Sequence, residues 1–454
     1  MVIILCPKKA NTSFKKELEG KIKQPYSIFS TEEVSDVEGS RYYIFNHRSM
    51  HKYGKKIVDL CGEYKVIAII DEAHILQDDS SNQSKFLSLL RPRFNAVWGL
   101  TATPLLNNPE GLYHVTNFIR PMFFGTYKTF EKTYLKTKRM KMRRGKRLVK
   151  FNKILGVKNV DKLSQKLKYI SHVRKKDYDI DFIYRKVQAD TNIMEDYQKA
   201  GRGLFTEEFG ARLHDLQSSV SNVLYESLSE RLNRLESKFG RLDDVEDRIV
   251  LRDRINQIEE GLLEVNERVS ISNKEKLLLK TLKEIIDRNE GTLIYVEYIP
   301  TEHRLVSLLE KYKDKLGYNK LYRITGSIDY SERIKVEKEL DRKDIVIINE
   351  AGKESINLRQ VNNIVFYELP FAIGTFIQIV GRITRLDTEY DSQLIYVLET
   401  VETIDTYKRM LIQDNAKLIK DLFGSNSNLP KSLNKIDKKF MKKLKKDLLW
   451  KFNN

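Results

Sequence analysis

Cysteine, tryptophan and proline are scarce in these 454 residues: two, two and nine. Cys6 and Cys61 cannot build a disulfide scaffold or a four-cysteine zinc site, so a reducing, cytoplasmic setting is expected. No apolar run approaches the roughly 20 residues that cross a bilayer; the longest are pieces such as Val66-Ile67-Ala68-Ile69-Ile70. Met1 to Cys6 is apolar but too short, and lacks the basic lead of a signal peptide. Histidine is sparse, and His47, His51, His114, His172, His214 and His303 form no metal-ligand set, so no role is expected of them. Acid is in deficit, with 81 Lys+Arg against 63 Asp+Glu and a net charge of +18. That balance attracts polyanions, nucleic acid before membrane. With 41% hydrophobic and 32% charged residues the chain is globular, not disordered, and its length predicts several domains.

The first 125 residues alternate buried-strand patterns (Val2 to Pro7, Arg41 to Asn46, Lys65 to Ile70, Val97 to Thr101) with helical stretches such as Ser13 to Ile22 and Met50 to Cys61. Continuous apolar strands separated by helices indicate a parallel sheet covered on both faces. Residues 126–288 read as a basic, helical insertion. Lys136 to Lys150 holds Lys138, Arg139, Lys141, Arg143, Arg144, Lys146 and Arg147 with no acid, and residues 192–288 contain no proline. The strand–helix alternation returns over 289–425, at Thr292 to Val296, Leu321 to Ile324, Ile345 to Asn349, Asn363 to Leu369 and Gln393 to Leu398. A lysine-studded amphipathic tail, 426–454, closes the chain. The expected fold class is α/β, with two parallel-sheet lobes.

Chemistry concentrates where strands end. Lys65 to Ile70 delivers Asp71-Glu72-Ala73-His74 at the carboxyl edge of a parallel sheet, where such folds bind ligands. Asp71 can hold Mg²⁺ through its water shell, and Glu72 can polarise a water that attacks a γ-phosphate. Trp98-Gly99-Leu100-Thr101-Ala102-Thr103-Pro104 ends a strand in two hydroxyl residues able to bond back to that acidic turn. In Gln378-Ile379-Val380-Gly381-Arg382-Ile383-Thr384-Arg385, a continuous helix would put Gln378, Arg382 and Arg385 on one face. The two guanidiniums could then stabilise phosphoryl-transfer charge as arginine fingers.

The Asp-Glu-Ala-His box followed by Leu-Thr-Ala-Thr-Pro resembles a superfamily-two helicase or translocase. The continuation Leu105 to Leu112, Asn117 to Pro121, Phe124 to Phe130 and Val173 to Tyr178 narrows the resemblance to Swi/Snf-type ATPases. The resemblance implies two RecA-like lobes and ATP-driven translocation along duplex DNA, with Mg²⁺ as cofactor. It also implies coupling roles for His74, Thr101, Thr103, Gly352, Gln378 and Gly381. Tyr322 to Ser327 is similar to a segment that faces the nucleic-acid backbone in the family, which implies DNA contacts from Thr325 and Gly326. Glu350 to Leu358 is similar to the glycine-rich segment that senses phosphate and DNA, which implies a contact from Asn357. Lys353 and Ser355 stand there where the family usually has glycine, so that turn is less permissive. Lys138, Arg139, Arg143 and Arg144 add charge that DNA could neutralise.

One part of the pattern is not found. An ATPase of this kind needs G-x-x-x-x-G-K-[ST], whose backbone amides cradle phosphates. The Gly-Lys pairs at 20–21, 54–55, 145–146 and 352–353 have neither the earlier glycine nor a following Ser or Thr. Val2 to Pro7 resembles the strand that follows such a loop. The expectation is therefore a chain that needs a second polypeptide to bring the loop, or a fragment. The different-class alternative is a non-hydrolysing DNA-binding subunit or a degenerate remnant.

Overall fold

The computed structural model describes residues 1–31, 33–102, 109–144, 147–173, 179–188, 271–324, 330–350, 358, 360–383, 390, 392–401 and 403–423, with isolated positions between 235 and 256. It contains two compact units, one formed mainly by residues 1–176 and the other mainly by 177–414.

The first unit is built on a six-stranded sheet in the order β3-β2-β4-β1-β5-β6. Its strands are β1 (Val2–Cys6), β2 (Tyr26–Phe29), β3 (Val34–Ser35), β4 (Tyr42–Asn46), β5 (Ile67–Ile70) and β6 (Ala96–Gly99). All neighbours are parallel except β2 and β3. β1 sits centrally, so its run of Val, Ile, Ile, Leu and Cys has no polar face. Ile3 and Leu5 join a cluster with Phe45, Ala68, Ile70 and Val97, while Ile4 and Cys6 join Leu18, Ile28 and Ile44. Alternate residues of one strand thus feed two cores, as a sheet covered on both sides requires.

Helices α1 (Asn11–Glu17), α2 (Gly54–Glu63), α3 (Asn82–Leu90) and α4 (Glu110–Ile119) belong to this unit. Arg91 ties α4 down: its guanidinium donates to the Ile119 carbonyl at 2.9 Å, to the Phe94 carbonyl at 3.2 Å, and also to the Phe118 carbonyl. β6 is an edge strand, with a neighbour on one side only among the described residues. Trp98 is 64% exposed there, Leu100 43%, and Ile67 on β5 41%. That edge carries an uncovered apolar face.

The stretch expected to be helical departs from that reading. After α5 (Tyr127–Tyr134) the chain forms β7 (Leu135–Arg144) and β8 (Arg147–Val157), an antiparallel pair separate from both larger sheets, then α6 (Val160–Leu167). β9 (Asp179–Val187) pairs in parallel with β14 over nine residues and so belongs to the second sheet. The helical arm expected over 192–288 lies almost wholly outside the described residues until α7 (Asn273–Asp287), and the tail 426–454 lies outside them too.

The second unit holds an all-parallel six-stranded sheet, order β11-β12-β10-β13-β14-β9. Its further strands are β10 (Gly291–Tyr295), β11 (Leu321–Ile324), β12 (Ile345–Ile348), β13 (Val361–Phe366) and β14 (Ser392–Thr400). The helices of this part of the chain are α8 (Ile299–Lys311), α9 (Lys313–Leu316), α10 (Tyr330–Glu339), α11 (Ile373–Val380) and α12 (Ile404–Phe423), with residues 372–378 and 415–423 belonging to the first unit. α7 starts on a reciprocal capping box: the Ser272 side chain accepts from the Glu275 N–H while Glu275 accepts from the Ser272 N–H. Three buried acids anchor the sheet's carboxyl end. Asp405 receives Lys274 Nζ at 2.6 Å, Glu302 receives Arg323 at 2.7 Å, and Glu368 accepts from Glu297 N, Tyr298 N and Thr301 Oγ1. No described helix is long and apolar enough to cross a membrane.

Candidate active site

β4, β1, β5 and β6 end along one edge of the first sheet, and the residues just past their ends meet there. β5 is apolar through Ile70, after which the chain turns sharply. The Asp71 N–H donates to the Leu5 carbonyl at 2.8 Å, and the Ala73 N–H to the Leu100 carbonyl at 2.8 Å. Between these two fixed points Glu72 adopts φ 50°, ψ 50°, the left-handed region. For a residue with a Cβ that conformation costs roughly 1–2 kcal/mol, and here the flanking strands enforce it. A 3-10 turn, Ala73–Gln77, follows.

The strain fixes the acid. Glu72 Oε2 lies 3.0 Å from His74 Nδ1, and the same nitrogen lies 3.4 Å from Thr101 Oγ1. One imidazole therefore connects the acidic turn to the end of β6. α4 packs close behind: a Cβ added at Gly111 would stand 2.7 Å from Gln77 Cβ, and one at Gly99 would stand 2.9 Å from Ile119 Cδ1 and 3.0 Å from Ala73 Cβ. Only glycine at these two positions lets helix, turn and strand approach so closely.

Burial is the main cause that raises the Asp71 carboxyl to about 6, with the neighbouring Glu72 charge adding to it. Two carboxylates at one strand end, one of them held up in this way, suit a divalent cation. Among the described residues no group of three or more His, Cys, Asp or Glu could hold a metal. Asp71 and Glu72 are the donor set that a Mg²⁺ site rich in water takes, one or two carboxylates together with substrate phosphates.

His47 was passed over in the sequence. It lies at the end of β4, its N–H donates to the Cys6 carbonyl at 3.0 Å, and it is buried to 6% exposure. Burial pushes its imidazole down to about 4, within electrostatic reach of His74 and Glu72. A groove of about 540 Å³ opens beside it, lined by Arg48, Met50, His51, Asn82, Gln83 and Phe86. Beneath, Asn46 Nδ2 donates to Asn11 Oδ1 at 2.7 Å, and burial raises the Cys6 thiol to about 12. Cys6 is thus an inert core thiol. The only sequence signal for His47 is its place directly after a buried strand, a signal shared by many residues.

Gln378 lies on α11, but that helix ends at Val380, and Gly381, Arg382 and Ile383 form a turn. The Arg382 N–H donates to the Ile379 carbonyl at 2.9 Å, a tight closing bond. Among the described residues Gln378 and Arg382 therefore do not lie on one continuous helix, and Arg385 lies outside them. Thr103, Thr325, Gly326, Gly352, Asn357 and Arg385 lie outside the described residues. Lys138 and Arg139 are exposed on β7, the strand that also contains Arg143 and Arg144.

With this geometry in view, residues 43–200 match the SNF2-related domain and residues 274–387 the helicase conserved C-terminal domain. The chain is 24% identical over 382 residues to an uncharacterised ATP-dependent helicase of Bacillus subtilis, YqhH, covering 79% of this chain and 60% of that protein. It is 26% identical over 364 residues to the ATP-dependent DNA helicase DDM1 of Arabidopsis thaliana, covering 77% of this chain and 44% of the relative. The chain thus spans about half the length of these two relatives. A solved structure, the Sulfolobus solfataricus SWI2/SNF2 ATPase core in complex with dsDNA, aligns with 94% of this chain and 82% of its own, at 16% identity and a TM-score of 0.33.

Proposed function

The chain belongs to the Swi/Snf-like group of superfamily-two helicases, with two RecA-like parallel-sheet lobes, and from that premise we propose that it is the DNA-tracking motor of an ATP-dependent translocase. The observation that carries this reading is the acidic turn: Glu72, strained into place at the end of β5, linked through His74 to Thr101 at the end of β6.

In this reading Asp71 holds Mg²⁺ through its water shell, and Mg²⁺ neutralises charge on the nucleotide's phosphates. Glu72 orients the attacking water and accepts its proton. His74 and Thr101 sense the carboxylate's position and pass it to β6. Gln378 and Gly381 couple the nucleotide to the second lobe, and Arg382 with Arg385 stabilises charge on the transferring phosphoryl group. The substrate polymer is duplex DNA, gripped along its phosphates without sequence preference, with Thr325, Gly326, Asn357 and the basic β7 residues Lys138, Arg139, Arg143 and Arg144 as contacts.

No phosphate-cradling string occurs within the 454 residues, and among the described residues β6 has an unpaired edge beside an apolar face that includes Trp98 and Ile67. A strand–loop–helix segment from outside these residues would satisfy both: its strand pairs with β6, its helix covers Trp98, and its loop reaches the phosphates. The test is DNA-stimulated ATP turnover by the purified chain, alone and with such a segment added as a separate polypeptide. Weak or no turnover alone and restored turnover on addition, abolished by Glu72→Gln, is the expected result. Robust turnover by the chain alone would remove the need for the segment. No ATP-analogue binding in either condition would leave the non-hydrolysing DNA-binding reading.

A further inference from the structure

The ribbon β7–β8 carries a feature that a packed structural hairpin would avoid. Its root is secure. Leu135 and Val157 are register partners and both buried. Beside them Phe124, Phe130 and Tyr134 pack with ring centroids 5.2–5.6 Å apart. Three further bonds fix the base: Lys158 N–H to the Tyr134 carbonyl at 2.7 Å, Asn159 Nδ2 to the Thr133 carbonyl at 2.7 Å, and Asn152 Nδ2 to Glu131 Oε1 at 3.0 Å.

Beyond the root the composition changes. From Lys136 to Lys153 there are ten Lys or Arg and no acid. The register sets Lys138 opposite Lys153, Lys141 opposite Lys150 and Arg144 opposite Arg147. Like charges directly opposite in an antiparallel pair are destabilising, and a two-stranded ribbon standing alone has little stability to lose. Only Met140 with Phe151 and Met142 with Val149 give apolar cross-strand pairs among the outer rows.

The pleat adds direction. Lys138 and Arg139 are consecutive on β7 and both exposed, so the pleat sends them to opposite faces and positive charge occupies both faces of the ribbon. A flat acidic surface or a membrane calls for a charged stripe on one face. Two faces of charge suit an element with a phosphate wall on each side. A duplex major groove, about 12 Å wide, admits a two-stranded ribbon. β7 has ten residues, which at about 3.3 Å each extend over roughly one helical turn of DNA.

We propose that β7–β8 is a groove-entering ribbon that grips duplex DNA by both phosphate walls, and that the duplex relieves its cross-strand repulsion. The proposal rests on the reading of this chain as a DNA-tracking protein and specifies the surface by which it would hold the duplex.

Hydrogen exchange of the full chain, read over residues 136–156 with a 30-base-pair duplex, with single-stranded DNA and with heparin, tests it. Ribbon amides are expected to slow at least about tenfold with duplex, less with either other polyanion, and to lose that protection as salt screens the contacts. A second variant keeps the outcome independent of folding defects. Lys141→Glu replaces one like-charge row with an ion pair to Lys150, so the free ribbon is expected to exchange more slowly while duplex affinity falls several-fold. Duplex binding with unchanged ribbon exchange would overturn the ribbon proposal and leave DNA tracking intact. No duplex binding at low salt would overturn DNA tracking, and the ribbon proposal with it. Equal protection by heparin and duplex would reduce the ribbon to a charge sensor and overturn groove entry.

Discussion

Glu72 was legible as an acid at a strand end because the apolar run before it and the His and Thr partners after it are all sequence-local features. Its left-handed backbone was not, since that depends on the Leu5 and Leu100 carbonyls, contributed by other strands. The conformation predicts a separation of stability from chemistry. Glu72→Gly should stabilise the first unit by about 1 kcal/mol relative to Glu72→Ala, while both abolish the carboxylate's function. Urea unfolding followed by Trp98 fluorescence, in a Trp450→Phe background, measures the difference; equal midpoints would mean the turn is not strained. His47 makes the complementary case. Its folded value of about 4 lies below the ordinary 6.5, so the unfolded chain takes up a proton first as pH falls. The stability this neutral imidazole contributes is present above pH 6.5 and is lost as pH falls toward 4. The loss is of the order of 3 kcal/mol. The same fluorescence measurement from pH 7 to pH 4.5 should show a shallower decline in His47→Gln than in the parent. A parallel decline would place the proton uptake elsewhere.

At the scale of elements, the strands ending in chemistry were readable and the basic ribbon was not. Buried parallel strands announce themselves as unbroken apolar runs, as in Ile3 to Cys6 or Ile345 to Ile348. Lys, Arg, Met and Leu, which make up nine of the ten residues of β7, are good helix formers, so composition there argued for helix while pairing with β8 decided for strand. β9 was hidden for a related reason: its partner β14 lies some two hundred residues away, and no local pattern predicts that registry. α4 is the element that supports the acidic turn, and Gly111 is where the two come closest. Gly111→Ala should therefore destabilise the first unit by about 1–3 kcal/mol through overpacking against Gln77, despite alanine's better helix propensity. It should lower duplex-stimulated turnover as the turn bearing Glu72 and His74 shifts. A gain in urea midpoint would show that α4 can back away without cost.

At the scale of the molecule, two parallel-sheet units were expected and found. The order of the segments that resemble a motor could be read along the chain; the pairing of β9 with β14 could not, because no local pattern spans two hundred residues. In the proposed mechanism Glu72 and Arg382 act on one nucleotide, and a double-mutant cycle on duplex-stimulated ATP turnover, with the phosphate-loop segment supplied, separates that from independent roles. Glu72→Gln and Arg382→Ala should each reduce turnover by roughly a hundredfold or more, a magnitude usual for a lost transition-state contact. The double variant should fall little further, since groups that act as a unit are not additive. Losses that multiply, or an Arg382→Ala variant that keeps full turnover, would contradict the claim.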